Sequence, residues 1–439
     1  MSITKRPPTS VNNDRKIVEA PVHLTVVSQH FFPDLASTGQ LLTELAVGMH
    51  KLGCSVFVLT ARPSYTSEGQ ILRSDSIEGV VVRRLPSTHL DKNRAVGRII
   101  NGMTFFLSAF FALLSRPSNE VLFIVSNPPI LPLIGLLLRR LRRQRFIYLV
   151  YDIYPDIAEK LGYLRADGFV SKLWKKMNRH VLRAASSVIT PSESMKGVVS
   201  SHMGINGGSD QVRVIHNWVD SSFIVPISKD KNWFAGQHNL REKFVVLYAG
   251  NLGLSHDLET IITAAEHLRE HNIRFVFIGE GGKKQNLMRL AKSKNLENVL
   301  FLPFQAREVL PYSVTCADVS IVALERGIEG LSMPSKLYTI LASGRPVVAL
   351  VDRDSDVAHI IAEAGCGVSI NQYDVKGLVE AVTMYYRDPG MANLHGLNGR
   401  KYFEEHFTLD HATQLYLDVL QRTVEHRVEA KGKISSSDR

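Results

Sequence analysis

The chain has 439 residues, 45% of them hydrophobic and 21% charged, and its 52 Lys and Arg against 42 Asp and Glu leave a net charge of +10. That composition is globular, and the length suits two domains of about 200 residues each. Cys54, Cys316 and Cys366 lie far apart in apolar runs, which argues against a disulfide or zinc framework and for buried thiols in a reducing compartment. The positive balance favours acidic ligands or an anionic surface.

Residues 1–20 are polar and lack the apolar core of a signal peptide, so they read as a disordered leader. Residues 23–29 (HLTVVSQ) form a β-branched run, hence a buried strand. HFFPDLASTG follows as a loop. Residues 40–52 then show helical spacing through Leu41, Leu42, Leu45, Met49 and Leu52, Gly53 ends that run, and 55–60 is the next strand. In such a βαβ opening, ligands bind at the carboxyl ends of the strands. Ser37, Thr38 and Gly39 sit at the helix N-terminus, where their N–H groups can face a phosphate or a sugar, or simply make a turn. The loop lacks G-x-G-x-x-G, so it is no dinucleotide fingerprint.

Residues 99–115 carry no charge between Arg98 and Arg116, at the low edge of what spans a bilayer, and Asn101, Gly102, Thr104 and Ser108 weaken that reading. Residues 121–138 are broken by Pro128, Pro129 and Pro132 into a strand and a short helix. Arg139, Arg140, Arg142, Arg143 and Arg145 follow directly. Apolar helices beside dense arginines fit a protein lying on an anionic membrane, where each basic group is worth about 1 kcal/mol; a core helix beside a solvated face is the plainer alternative. The cluster has no interleaved aromatics, which argues against nucleic acid.

A strand at 146–150 ends in YDIYPDIAEKLG, placing Asp152, Tyr154, Asp156, Glu159 and Lys160 at its carboxyl end. Acids there orient sugar hydroxyls or complement a helix dipole. A strand at 187–190, a capped helix in PSESMKGVV and a strand with an exit turn in VRVIHNWVD complete this half. The polar stretch 221–241 is the linker, with the boundary near Ser228.

Alternation restarts with a strand at 244–249 and the loop GNLGLSHD, which holds Gly250, Asn251, Gly253 and His256. A helix at 258–270 and a strand at 274–278 lead to GEGGKK, where Gly279, Gly281 and Gly282 let backbone approach a ligand and Lys283 or Lys284 meets charge. Phe304, after the strand at 299–303, packs on a nucleobase or in the core. The stretch LERGIEGLSMPSKLYTILASGRPVV organises this half. Glu325, Gly327, Glu329 and Gly330 precede Pro334, which opens a helical run at 335–343 with Leu337, Tyr338, Ile340 and Leu341 as its apolar face. Gly344 and Pro346 stop it before a strand at 347–351. A flexible loop feeding a helix start is an anion site worth about 0.3–1 kcal/mol, and Lys336 adds a full charge. Helical patterns at 375–386, 399–405 and 410–425 precede the polar tail KGKISSSDR.

The stretches FFPDLASTGQLLTELAVGMHKLG, YDIYPDIAEKLG, VITPSESMKG, VIHNWVD, VLYAGNLGLSHDLETII, FIGEGGKKQNL, LPF and GLSMPSKLYTILASGRPVVA together resemble glycosyltransferase family 4, the retaining enzymes of GT-B fold. The likeness is nearest the branch that builds capsular, exopolysaccharide and O-antigen units, the colanic-acid type. It implies an α/β protein of two Rossmann-like doubly wound domains facing a cleft: 21–227 for the acceptor and membrane, 228–405 for the donor, and 406–439 as a helix crossing back plus tail. It further implies transfer of a sugar from a nucleotide diphosphate donor to a polyprenyl-linked or glycan acceptor, with no metal and no cofactor, in the cytoplasm at the inner membrane face. Asp152, Lys336 and Glu329 become the catalytic candidates. Thr38, Gly39, Gly250, Asn251, Gly253, His256, Gly279, Gly281, Lys283, Phe304, Ser332, Pro334, Ser335, Tyr338 and Thr339 become the donor contacts.

The sequence departs from the family pattern at several of these places. The usual two Glu, eight residues apart, read Leu331 and Thr339, with Glu329 and Lys336 nearby to substitute. The usual phosphate-binding Arg and Lys read Asn251 and His256, and the usual His before Asp152 reads Tyr151. A nucleotide-sugar epimerase of the same fold and a non-catalytic scaffold of a polysaccharide assembly complex are the alternatives.

Overall fold

The computed structural model describes residues 22–34, 37–62, 74–91, 95–204 and 210–436, so the leader at 1–20 lies outside the described residues. Two sheets organise the chain. The first contains β1 (His23–Val27), β2 (Ser55–Ala61), β3 (Ser74–Ile77), β4 (Val80–Leu85), β5 (Val121–Val125), β6 (Phe146–Leu149), β7 (Ser187–Thr190) and β8 (Val212–Val214), in the order β3-β4-β2-β1-β5-β6-β7-β8. Only β3 runs antiparallel to its neighbour. The second contains β9 (Phe244–Ala249), β10 (Ile273–Ile278), β11 (Val299–Leu302), β12 (Val319–Ala323), β13 (Val347–Leu350) and β14 (Gly367–Ile370), in the order β11-β10-β9-β12-β13-β14. Its pairings are all parallel.

Strands covered on both faces must be apolar throughout. VLFIV of β5, FIYL of β6 and VVAL of β13 are accordingly buried at every position. The order of the second sheet reverses between β9 and β12, and that of the first between β1 and β5. Such switch points leave a crevice at the strands' carboxyl ends, where doubly wound sheets bind ligands. Both sheets turn those ends toward one another. The bonds that join them include Ile153 N–H to the Leu331 carbonyl at 2.9 Å and Arg307 to the Glu44 carboxylate at 2.8 Å. The Asp356 carboxylate accepts from Ser194 N–H at 3.2 Å.

Two helices add to what the sequence pattern assigns. The final one runs Leu409–Ser436, through the first six residues of the expected tail; 437–439 lie outside the described residues. It returns to the first sheet, with Tyr416 and Leu420 meeting Leu42, Leu45, Phe123 and Ile147 around a small, almost wholly apolar cavity. The helix Phe169–Ala184 carries Lys172, Lys175, Lys176, Arg179 and Arg183 and buries Ser171, Val181 and Leu182.

The apolar helix Ala95–Leu114 lies along the first sheet. Phe105, Ala109 and Leu113 are fully buried, whereas Ile99, Met103, Leu107, Phe111 and Leu114 are exposed. It is long and apolar enough to cross a membrane by length and composition, but its buried side is committed to the fold. The arginine cluster beside it divides by role. Arg142 donates to the carbonyls of Leu113 at 2.9 Å and Leu114 at 3.0 Å, closing the end of that helix. Arg145 bonds the Thr423 and Val424 carbonyls of the final helix. Arg139, Arg140 and Arg143 remain exposed.

Candidate functional site

The second sheet's switch point brings together the loop after β9, the loop after β10 and the stretch between β12 and the helix Lys336–Ala342. The first two loops are locked to each other. Gly250 N–H donates to the Ile278 carbonyl at 2.9 Å, Leu252 N–H to Glu280 at 2.8 Å, and Lys283 N–H to Leu252 at 2.9 Å. A Cβ on Gly279 would fall 1.9 Å from the Gly250 carbonyl oxygen. One on Gly281 would fall 2.4 Å from the Leu252 backbone. The glycines expected to admit a ligand are thus required, at these two positions, by the approach of loop to loop. The stretch after β12 joins them through Glu325 N–H, which donates to the Ser255 carbonyl at 2.8 Å.

Lys336 opens its helix and reaches under this assembly. Its amine lies 3.9 Å over the centre of the Tyr248 ring and bonds the Tyr248 hydroxyl. A Cβ on Gly250 would stand 3.4 Å from Lys336 Cε. Among the described residues no carboxylate lies within ion-pair distance of this amine, and burial pushes it down to about 7. Burial, with Lys336 and Lys283 adding repulsion, holds the His256 imidazole well below its usual value, so His256 is neutral. Lys283 differs from Lys336. It meets Glu259 at 2.8 Å, Glu325 at 3.4 Å and the His256 carbonyl at 2.7 Å. Its charge is answered within the protein, so Lys283 braces the loops.

Glu329 is likewise engaged. Gly327 N–H at 3.1 Å, Asp352 N–H at 3.4 Å and the Gln372 side chain donate to its carboxylate. Burial raises its pKa, with Asp352 adding repulsion. Both oxygens thus accept hydrogen bonds that hold the loop. Tyr338 is engaged within the protein as well. It is fully buried, edge-on to Phe407 at 4.9 Å and 3.4 Å from His216 Nδ1, so it closes the domain junction. Phe304 is 51% exposed, free to pack on a base and not part of the core. Asn251 is exposed; Ser332, Ser335 and Thr339 are half-buried, and Pro334 is buried.

Across the cleft, Ser126 Oγ accepts from Tyr151 N–H at 3.0 Å and Asp152 N–H at 3.2 Å, fixing the turn after β6. Asp152 forms a backbone bridge with Ser332. Burial raises its carboxyl pKa, opposed by a hydrogen bond from Ser332. Asp152 therefore stands where the two halves meet, whereas Asp156 and Glu159 pair with Lys175 at 3.7 and 2.8 Å and support local structure. A Cβ on Gly39 would fall 3.3 Å from Phe31 N and from the Asp34 carbonyl oxygen, and Thr38 is half-buried beside it. They lie in the other half from Lys336, at the switch point of the first sheet.

Residues 230–402 match the family described as glycosyl transferases group 1, and residues 38–218 match the glycosyl transferase 4-like domain. The chain is a glycosyltransferase, with one such family domain in each half. The Escherichia coli K12 protein named as a colanic acid biosynthesis glycosyl transferase, WcaI, is 27% identical over 403 residues, covering 88% of this chain and 96% of that one. Among solved structures, sucrose-phosphate synthase from Thermosynechococcus elongatus superposes with a TM-score of 0.74 at 16% identity, over 92% of this chain and 99% of its own. HepE of Anabaena, solved with UDP and glucose, superposes at 0.69 and 14% identity, over 91% and 99%. These likenesses give the glycosyltransferase its GT-B fold, and the family matches favour a transferase over the epimerase and scaffold readings.

Two features of the glycosyltransferase went unread in the sequence. Tyr248 is the penultimate residue of β9 in LYAGN, where an aromatic near a glycine turn was the only signal. The Glu44–Arg307 pair joins residues 263 apart, and nothing local announces it.

Proposed function

We propose that the enzyme moves a sugar from a nucleoside diphosphate sugar to a lipid-linked or glycan acceptor in polysaccharide biosynthesis, retaining the anomeric configuration. The observation that carries this reading is Lys336, a lysine with no carboxylate partner among the described residues, at the switch point of the donor-side sheet. The departing diphosphate gains negative charge as its bond to the sugar breaks. A cation already in place for that charge stabilises the transition state more than the ground state. Phe304 offers an exposed ring for the base. Asp152, at the meeting of the halves, is placed to orient a hydroxyl or face the cation-like anomeric carbon. The HepE structure, solved with UDP and glucose, supports a nucleotide sugar as the donor class.

The acceptor side supports a peripheral position on the cytoplasmic face of an anionic membrane. Ile99, Met103, Leu107, Phe111 and Leu114 form an exposed apolar stripe, with Leu141 at 65% exposure and Arg139, Arg140 and Arg143 near its end. Apolar burial and basic charge act together at such a surface.

Purified enzyme supplied with labelled nucleotide sugars and a polyprenyl-diphosphate sugar is expected to transfer sugar. Absence of transfer with every donor counts against the assignment. Lys336→Ala is expected to lower turnover by about tenfold or more, with folding unchanged. Wild-type turnover in that variant removes the phosphate role.

A further inference from the structure

An unpaired lysine must be held in place while its site is empty. Lys336 rests on the Tyr248 ring and bonds the Tyr248 hydroxyl, and that hydroxyl donates to the Asn251 carbonyl at 3.0 Å. The phenol thus ties the amine to the Gly250–Gly253 turn. Tyr248 is 1% exposed, so it acts on a ligand only through Lys336 and the turn.

We propose that Tyr248 is a positioning residue for the donor site: it holds the Lys336 amine against the Gly250–Gly253 turn, and the arriving diphosphate, in place of any protein carboxylate, completes the charge of that amine by drawing one proton from solvent.

This rests on the donor reading above and adds the regulation of its charge. Burial raises the Tyr248 phenol, which stays neutral. The His256 ring, edge-on to Tyr248 at 6.1 Å, is neutral as well. Lys283, from the neighbouring loop, is charged but paired with Glu259 and Glu325, and Tyr373 donates to the same Glu325. Burial brings the Lys336 amine down to about 7. In mildly alkaline solution the empty site therefore holds a largely neutral amine, and a bound dianion restores the ammonium. Three contacts oppose burial in the charged form: the ring, the hydroxyl and, once bound, the diphosphate.

The test is calorimetry of UDP and GDP binding to the full chain at about pH 8, in buffers of different ionisation heat, which counts protons exchanged. Wild type is expected to take up close to one proton, and Lys336→Met close to none. Tyr248→Phe keeps the ring and loses the hydroxyl that accepts from the ammonium. Its affinity is expected to fall about tenfold, and the alkaline midpoint of binding to move down by about one pH unit. Binding by wild type without proton uptake overturns this proposal alone. An unchanged midpoint in folded Tyr248→Phe also overturns it. Failure of wild type to bind either nucleotide overturns the donor reading and this proposal with it. If Tyr248→Phe does not fold, the comparison of wild type with Lys336→Met still decides the proton uptake.

Discussion

Gly279→Ala tests the reasoning about the donor loops most directly. Gly279 has φ +144°, and an added Cβ would stand 1.9 Å from the Gly250 carbonyl oxygen. A close carbon–oxygen contact is about 3.3 Å, so the two loops must part by roughly 1.4 Å. The backbone bonds at Gly250, Leu252 and Lys283 hold the loops together at 2.8–2.9 Å. Losing one or two of them costs about 1 kcal/mol each, and a side chain in this backbone region costs about 1–3 kcal/mol more. The expected destabilisation is therefore about 2–5 kcal/mol, read as a lowered midpoint in urea. Gly250 also backs Lys336, so nucleotide affinity is expected to fall about tenfold to a hundredfold, the scale of an ångström's misplacement in a site. Gly282→Ala is the control, since its added Cβ meets nothing closer than 3.9 Å. It is expected to stay within about 0.5 kcal/mol of wild type. Equal behaviour of the two variants, or wild-type affinity in Gly279→Ala, refutes the argument.

Folding lowers the Lys336 amine from 10.5 to about 7. Across that window the unfolded chain binds more protons, so wild-type stability rises with pH. Lys336→Met should lose this rise and, near neutrality, unfold at higher urea than wild type; parallel pH profiles for the two proteins would contradict the burial of that amine. Leu107→Asp with Phe111→Asp, at positions 48% and 64% exposed, should cut binding to anionic vesicles about tenfold with little change in stability. Undiminished sedimentation with vesicles removes the stripe from the membrane reading. Arg142→Ala should cost about 1–3 kcal/mol of stability, because it frees two helix-end carbonyls. Arg139→Ala with Arg140→Ala should cost almost none yet weaken vesicle binding, and the reverse pattern would overturn the division of the cluster.

The alternation of strands and helices was legible because each buried strand is a short apolar run and each helix shows its own spacing. The strand at 187–190 and the helix capped at Ser192, which accepts from Met195 N–H at 3.3 Å, follow that pattern. What stayed hidden depends on partners distant in sequence. The helix Phe169–Ala184 is not among these hidden features: Leu173, Trp174, Met177, Val181 and Leu182 recur at helical spacing among its Lys and Arg, so its pattern is legible. The final helix continues through KGKISS, where polarity suggested a tail but no proline intervenes. In the site, Lys336 was legible as a charge at a helix start. That it is unpaired while Lys283 is paired was not, because pairing is set by loops brought together across the sheet. The Gly279 and Gly281 spacing signalled close approach correctly and left its object open; the object is the adjoining loop.

The return of the final helix bears on how the protein is made. Leu42, Leu45, Phe123 and Ile147 belong to the first half of the chain, yet Tyr416 and Leu420 cover them. During translation the amino-terminal half must therefore leave the ribosome with an uncovered oily patch and keep it until almost the whole polypeptide has emerged. A fragment cut between the two sheets keeps that patch permanently, so aggregation on expression is the expected fate of the isolated first domain, and supplying the last helix as a separate peptide is the natural rescue.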